Sequence, residues 1–421
     1  MRKATFKRTK FACYSAYFTM SSIFALPPVL FVTLQNLYGI SYTLLGTLVL
    51  TNFITQLSVD LIFTMFSKHI NVHKIVKTMP LITCLGLLIY AVVPSVLPEY
   101  AYAGLLAGTI VFSVSAGLSE VLLSPVIAAI PSETPQRDMS MLHSLYAFGV
   151  FTVVVVSTVF LKIFGTENWM YLTAFFAMWP VLPAVLFMLS PMPEMKDKEN
   201  SSVSVSKTKK RTFSLALCVG CIFFGSCAEN TMSSWISGYM ENALHIDKAV
   251  GDILGMAMFA VLLGMARIGY AKYGKNIMKT LFVGMLGAIV CYLTVSLCPG
   301  TVVPLIACIL TGLFTSMLWP GTLILMEENI PGVGVAAYAL MAAGGDFGAS
   351  VAPQLMGIVA DKVKSSAFAA GLSEKLSLTA DQIGLKAGML VTSIFPILGV
   401  ILLLYIIKRF KKEKASFNRN H

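Results

Sequence analysis

Long apolar segments recur along the whole chain, and this recurrence constrains the fold more than any other feature of the sequence. Twelve such segments occur, at residues 11–36, 42–66, 76–96, 100–128, 140–164, 168–190, 212–240, 248–270, 278–298, 302–326, 334–360 and 386–408. A helix of about 20 apolar residues can cross a bilayer because it satisfies its own backbone hydrogen bonds. Only 12% of the residues are charged, against about 25% in soluble domains. We therefore predict an all-α membrane protein with twelve transmembrane helices.

The basic residues are distributed unevenly between the two sides of these spans. Of the 31 lysines and arginines, 25 fall in the termini and loops of one side, and six fall on the other side. Cytoplasmic loops of membrane proteins carry the excess of basic residues. The pattern predicts a multi-pass protein of the cell membrane with both termini in the cytoplasm. It also accounts for the net charge of +11 without a nucleic-acid partner.

A polar, serine-rich and basic segment at residues 191–211 divides the spans into two sets of six. We predict an N-terminal six-helix bundle at 1–190, a cytoplasmic linker at 191–211, and a C-terminal six-helix bundle with a basic tail at 212–421.

The two halves repeat weakly. Their fourth spans are both interrupted by a proline, at Pro125 in the first half and at Pro320 in the second. Paired interruptions of this kind are typical of the internal symmetry of secondary transporters. In the long loop after span 11, the sequence predicts a short helix capped by Thr379.

Four acidic residues that lie within predicted spans are candidates for chemistry, because a carboxylate in hydrocarbon is costly and is usually functional. Glu120, Glu229 and Asp346 lie nearest mid-depth, and Asp60 lies nearer the cytoplasmic end of span 2. We identify the first three as candidates for proton coupling or substrate binding. The alternatives are a glutamate that only bonds a neighbouring helix, a glycine-lined packing hinge at Asp346, and a gate-side partner for an arginine at Asp60.

Twelve spans, a basic central linker and short basic loops after spans 2 and 8 resemble the major facilitator superfamily. The segment from Gly264 to Lys275 is similar to that superfamily's cytoplasmic loop motif, and its copy after span 2 keeps Asp60 and Lys68 but lacks the usual glycines. The resemblance implies two pseudo-symmetric six-helix bundles, the major facilitator fold, working by alternating access. It also implies a cytoplasmic gate that includes Asp60 and Arg267.

Three segments resemble the fucose-permease-like group of sugar:proton symporters within that superfamily. Glu120 stands five residues before Pro125, and Tyr146 stands three residues before Gly149, with His143 one turn earlier. Span 10, SMLWPGTLILMEENIPG, is similar to the group's SxxYPTxxSLxxxxLG pattern. This resemblance implies proton-coupled sugar import.

One acidic residue of that group's scheme is absent here. The sugar permeases carry a second acid on span 1, whereas this chain has no Asp or Glu between Phe11 and Tyr38 and has Pro27 and Pro28 instead. Glu229 on span 7 is a candidate substitute.

Polar and aromatic side chains within the spans are candidates for binding a small polar solute. They are Asn230, Trp319, Tyr146, His143, Gln56 and Asn52. Trp319 is favoured because it precedes Pro320, and an interrupted membrane helix tends to line a cavity. The alternative for a tryptophan in a membrane helix is an interfacial anchor or a packing residue.

Other chemistry has no supporting pattern. Cys218 and Cys221 form a CxxC on a membrane helix, which is typical of packing. His69 and His73 stand four residues apart in a basic loop, which favours solvated polarity over a metal site. No phosphate loop, zinc spacing or nucleophile elbow occurs in the sequence, so we predict neither an enzyme nor a cofactor.

Together these patterns predict a secondary active transporter that imports a small polar solute such as a monosaccharide, coupled to protons. We expect a monomer in the lipid bilayer. The first alternative is a drug or metabolite exporter of the same superfamily, which the 23 methionines permit. The second is a non-transporting membrane receptor.

Overall fold

A computed structural model gives the fold of residues 6–66, 71–133, 135–193, 209–330 and 335–419. Over these ranges every regular element is helical, which confirms the all-α class. The helices before the linker are α1 (Lys7–Tyr38), α2 (Tyr42–Phe66), α3 (Val72–Val96), α4 (Ala101–Ala129), α5 (Pro135–Phe164), α6 (Trp169–Met178) and α7 (Val181–Met188). Those after it are α8 (Lys209–Asn242), α9 (Lys248–Gly251), α10 (Met258–Tyr273), α11 (Ile277–Leu297), α12 (Val302–Thr315), α13 (Pro320–Asn329), α14 (Val335–Lys364), α15 (Ala367–Leu376), α16 (Ala380–Thr392) and α17 (Ile394–Arg419).

All twelve predicted spans coincide with helices. In the described ranges, ten helical segments are long and apolar enough to cross a membrane, and α5 adds a shorter apolar section at Phe148–Phe164. The first half of α5 is polar, and α14 carries Asp346 among glycines. These two spans are therefore less apolar than the others, as expected of helices with polar residues that face protein rather than lipid.

Residue contacts divide the chain into two compact units. Unit 1 comprises Met1–Glu199 together with Asp247–Ile253, and unit 2 comprises Asn200–Ile246 together with Leu254–His421. The short segment Asp247–Ile253 opens predicted span 8, but its contacts place it in unit 1.

In unit 1, α1 is a continuous helix of 32 residues in spite of Pro27 and Pro28, and it is buried over most of its length. It packs against α5, α7 and α4. The sixth span, by contrast, is split into α6 and α7, because Pro180 and Pro183 cannot donate the backbone hydrogen bonds that would join the two helices.

In unit 2, span 10 is also split. Residues 316–319 form a turn between α12 and α13, and Pro320 is the first residue of α13. The predicted cap at Thr379 is confirmed, since its hydroxyl accepts from the Gln382 amide while the Gln382 side chain accepts from the Thr379 amide. All eight cysteines are free thiols, and Cys218 and Cys221 are fully buried, as packing residues are.

Candidate functional site

Glu120 and Asp60 lie close together inside unit 1, on α4 and α2. Both are half-buried, and the charge of Glu120 acts on Asp60 and on the Tyr17 hydroxyl of α1. Gly117, one turn before Glu120, permits the approach, because a Cβ there would lie 3.0 Å from the Cβ of Val59. The fold thus joins two acids that the sequence placed at different depths of separate spans.

Tyr146 of α5 belongs to the same cluster. It lies near Tyr17, and its ring meets Phe24 edge-on with centroids 5.7 Å apart. Gly149 brings α5 against α1, since a Cβ at this position would collide with the hydroxyl of Ser21. We refer to Tyr17, Asp60, Glu120 and Tyr146 as the acid cluster. Its members come from four helices: α1, α2, α4 and α5.

The side chains of Asn52 and Gln56 form hydrogen bonds with other side chains of the protein. Asn52 Oδ1 accepts from Gln56 Nε2 at 2.9 Å and from Ser113 Oγ of α4 at 2.7 Å. Gln56 is only 1% exposed. Asn52 thus links α2 to α4, and Gln56 bonds to Asn52 within α2. His143 lies on α5, but its side chain is outside the described part of the chain, as is the whole of His69; His73 is exposed.

Glu229 of α8 pairs with Arg267 of α10 inside unit 2. Arg267 Nη2 lies 3.2 Å from Glu229 Oε1, while Arg267 Nε donates to the backbone carbonyl of Ser316 at 2.9 Å. The other carboxylate oxygen, Glu229 Oε2, is buried and takes no hydrogen bond from any described residue. One oxygen of this carboxylate is therefore bound by a cation, and the other accepts no hydrogen bond from a described residue.

The carbonyl of Ser316 is available because of the proline four residues later. In a regular helix the amide of residue 320 would donate to this carbonyl, but Pro320 has no N–H. The Arg267 guanidinium supplies the missing donor. Glu229, Arg267 and Ser316 therefore connect α8, α10 and the break in span 10, and we call this set the Glu–Arg network. The loop motif indicated Arg267 but not its partners; the position of Pro320 was the signal for Ser316.

Asn230 follows Glu229 directly and is half-buried. Its Nδ2 donates to both the carbonyl and the hydroxyl of Ser226, each at 3.1 Å. The amide thus lies beside the Glu–Arg network, but it is bonded within its own helix in this structure.

Asp346 and Trp319 are neighbours in unit 2. Asp346 is buried on α14, and the preceding Gly345 lies against the Trp319 ring, which a Cβ there would strike. Gly348 touches the Phe223 carbonyl of α8 in the same manner. The glycines around Asp346 therefore allow close helix packing, as the packing alternative requires, and they also bring the Trp319 ring against the residue that precedes Asp346.

A further acid lies in span 8 and was missed in the sequence. Asp252 is fully buried in unit 1, where it lies 3.3 Å from Lys248 Nζ and accepts from Thr158 Oγ1 at 3.4 Å. Lys248 also donates to the Val29 carbonyl of α1 at 2.7 Å. Thr158, Lys248 and Asp252 border a cavity of about 320 Å³. The four-residue spacing of Lys248 and Asp252 was the available signal.

Helices that fill twelve membrane spans, with acids held inside both units, define a multi-pass membrane carrier. The family model of the Major Facilitator Superfamily matches residues 12–353, and the chain belongs to this family. Its members are secondary transporters, carriers rather than enzymes, and the resemblance in the sequence is therefore confirmed.

Solved structures with the same fold are similar over nearly the whole chain. A bacterial homologue of the human lysosomal transporter Spinster has a TM-score of 0.76 and 12% identity, covering 96% of this chain and 97% of its own. A D-xylose-proton symporter has a TM-score of 0.75 and 14% identity, covering 95% and 96%. The Escherichia coli fucose:proton symporter FucP has a TM-score of 0.56 and 15% identity, covering 94% and 99%. A sequence search of curated proteins found no match.

Proposed function

We propose that this transporter imports a small polar solute, such as a monosaccharide, together with protons by alternating access. The observation that carries the proposal is the Glu–Arg network, in which one oxygen of Glu229 is bound by Arg267 and the other is buried and accepts no hydrogen bond within the described part of the chain. A carboxylate with an open, buried oxygen is a suitable proton acceptor. Symporters for D-xylose and fucose among the solved structures of this fold support the choice of substrate class.

The network supplies a means of coupling. A proton on Glu229 removes the negative charge that holds Arg267 Nη2. Arg267 Nη2 then becomes a donor for a hydroxyl group of a solute. Arg267 remains bonded to the Ser316 carbonyl, so a change in protonation reaches the break between α12 and α13.

The acid cluster of unit 1 is the second proposed proton site. Asp60 and Glu120 lie within electrostatic range of each other, and two ionised carboxylates at such a site repel. One proton between them relieves that repulsion. We propose that Glu120 holds it, with Tyr17 and Tyr146 as neighbours, and that Asp346 and Trp319 contribute to solute binding.

Transport measured in proteoliposomes tests the coupling. An imposed pH gradient should drive accumulation of labelled monosaccharides by the natural protein. Glu229→Gln should abolish this accumulation while retaining exchange of the solute across the membrane without a gradient, because the amide cannot take up a proton. Glu99→Gln is the matched control and should transport normally, since Glu99 is an exposed acid in the turn before α4.

The outcomes separate the alternatives. Gradient-driven uptake that survives both Glu229→Gln and Glu120→Gln would show that neither acid carries the coupled proton. Protons that drive efflux instead of uptake would contradict import, and would favour the exporter.

A further inference from the structure

Unit 2 contains a groove of about 800 Å³ between α10, α11 and α12. Tyr270 and Tyr273 form one wall, Val283 and Leu313 belong to the facing helices, and Lys275 and Lys279 lie at the mouth. The volume is within the range of sites that hold organic ligands. None of the solute candidates on α8 and α14 is among its lining residues.

The mouth of the groove is positively charged. Lys275 and Lys279 are exposed, and none of the described lining residues is acidic. Lys272 lies just outside, with its ammonium 5.1 Å from the centroid of the Tyr273 ring. The Asn276 side chain caps α11 by accepting from the Lys279 backbone amide. Among the described residues, none forms a hydrogen bond or ion pair with the ammonium group of Lys275 or Lys279.

The walls of the groove are apolar and face outward. The exposed fractions are 70% for Tyr273, 48% for Val283 and 39% for Leu313. The groove ends where α11 contacts α12: a Cβ on Gly284 would lie 2.5 Å from the Phe314 carbonyl. At Gly269 a Cβ would meet open space, so the absence of a side chain there widens the groove.

We propose that this groove binds an anionic phospholipid, with the phosphate on Lys275 and Lys279 and an acyl chain along the tyrosine wall. Cationic pockets between membrane helices on the cytoplasmic side are suited to anionic headgroups, and the basic loops predict that side here. A soluble anion would leave the apolar walls uncovered, and a zwitterionic lipid would leave the positive mouth without net compensation. Only an anionic lipid matches both surfaces.

The inner end of the groove reaches the transport machinery. Ser316 is among its lining residues, and the Ser316 carbonyl is the acceptor for Arg267. A bound acyl chain therefore lies beside the break in span 10.

Lipid titration of the purified full-length protein in detergent provides the test. Phosphatidylglycerol should raise the midpoint of thermal unfolding and remain bound in native mass spectrometry, whereas phosphatidylcholine and inorganic phosphate should do neither. Each lysine contributes about fivefold to affinity, from ~1 kcal/mol per basic residue near an anionic surface. Lys275→Gln combined with Lys279→Gln should thus weaken phosphatidylglycerol binding about 25-fold.

A steric variant gives an independent result. Gly269→Leu should fill the groove and prevent lipid binding, while Gly264→Leu is the matched control. Gly264 stands on the same helix with open space at its Cβ, but it does not line the groove. Equal stabilisation by phosphatidylcholine or by phosphate alone would overturn the proposal. So would unchanged phosphatidylglycerol binding in either the lysine variant or Gly269→Leu.

Discussion

At the scale of single residues, the Glu–Arg network depends on the shape of a guanidinium. Arg267 uses Nε for the Ser316 carbonyl and Nη2 for Glu229, which lie in different directions. A lysine has one nitrogen at the end of a flexible stem and cannot hold two such partners in fixed geometry. Charge alone therefore does not define this site.

Asp138 forms a second ion pair at the residue scale, outside the membrane spans. Lys10 donates to its carboxylate, and the Tyr14 hydroxyl donates as well. The hydrogen bond from Lys10 is the main cause that lowers the pKa of Asp138 below its usual value. A group with a lowered pKa stabilises the folded state when ionised, and that contribution disappears as the pH falls through the lowered pKa.

We therefore expect Asp138→Asn to lower the midpoint of thermal unfolding near neutral pH. The difference from the natural protein should begin to shrink as the pH falls below about 4, the usual pKa of an aspartate, and disappear as the pH passes through the lowered pKa of Asp138. Thermal unfolding of both proteins across a pH series measures this. Lys10→Gln should give the same pH profile, and a difference that persists in acid would rule out this ion pair as the cause.

At the scale of elements, the break in span 10 follows from one missing amide hydrogen. Pro320→Ala would restore the donor for the Ser316 carbonyl, which would then compete with Arg267 and favour a continuous helix. We expect a higher unfolding temperature and slower solute uptake. Pro304→Ala is the control, since Pro304 lies in the first turn of α12, where a proline costs no helical hydrogen bond. Faster uptake by Pro320→Ala would argue against a role for the break.

The segment Asp247–Ile253 bonds to the rest of unit 1 through Lys248, which donates to the Val29 carbonyl, and through Asp252, which accepts from Thr158. It also contains an ion pair of unequal burial. Lys248 is the cation beside the fully buried Asp252. Lys248→Met should destabilise the protein by about 3 kcal/mol, because it leaves a buried charge without its cation. Lys162→Met removes an exposed pair with Asp247, in which the side chains are 63% and 52% exposed, and should cost about 0.5 kcal/mol or less.

Chemical unfolding of the detergent-solubilised protein compares the two variants. Adding Asp252→Asn to Lys248→Met should restore most of the lost stability, since the uncompensated charge is then removed. Equal losses in Lys248→Met and Lys162→Met would show that burial of Asp252 does not matter.

The segment Asp247–Ile253 also ends inside an irregular stretch of helix. A π-helical turn, Asp252–Ala257, joins α9 to α10, and the chain passes from unit 1 to unit 2 between Ile253 and Leu254. Such turns occur often at functional sites, because their backbone bonds are looser than those of an α-helix.

At the scale of the whole molecule, the distribution of lysine and arginine predicts the orientation in the membrane. A reporter protein that is fluorescent only in the cytoplasm should be fluorescent when fused after His421. The same reporter inserted at Glu99, in the turn between α3 and α4, should be dark. A fluorescent insertion at Glu99 with a dark C-terminal fusion would reverse the predicted topology.

Much of the fold could be read from local patterns. The apolar spans and the cap at Thr379 depend on neighbouring residues alone, and each is found in the structure. The break before Pro320 is also found, but the matching interruption expected at Pro125 is not, since α4 continues through that proline. The spans in α5 and α14 have a lower hydropathy than the other spans, because the first half of α5 and the residues around Asp346 are polar. Helix ends differ from the prediction by several residues, because membrane helices extend beyond the apolar part of the sequence.

The sequence by itself determined that this chain crosses a membrane many times as helices, because each apolar segment must satisfy its backbone within itself. It also supplied the acids as candidates, because carboxylates are rare in such segments. Only the tertiary structure decided which of them meet. Asp60 joins Glu120, Glu229 joins Arg267, and Asp252 accepts from Thr158 of α5. Such pairs form between side chains on packed helices, and a hydropathy pattern does not show which helix faces will be in contact.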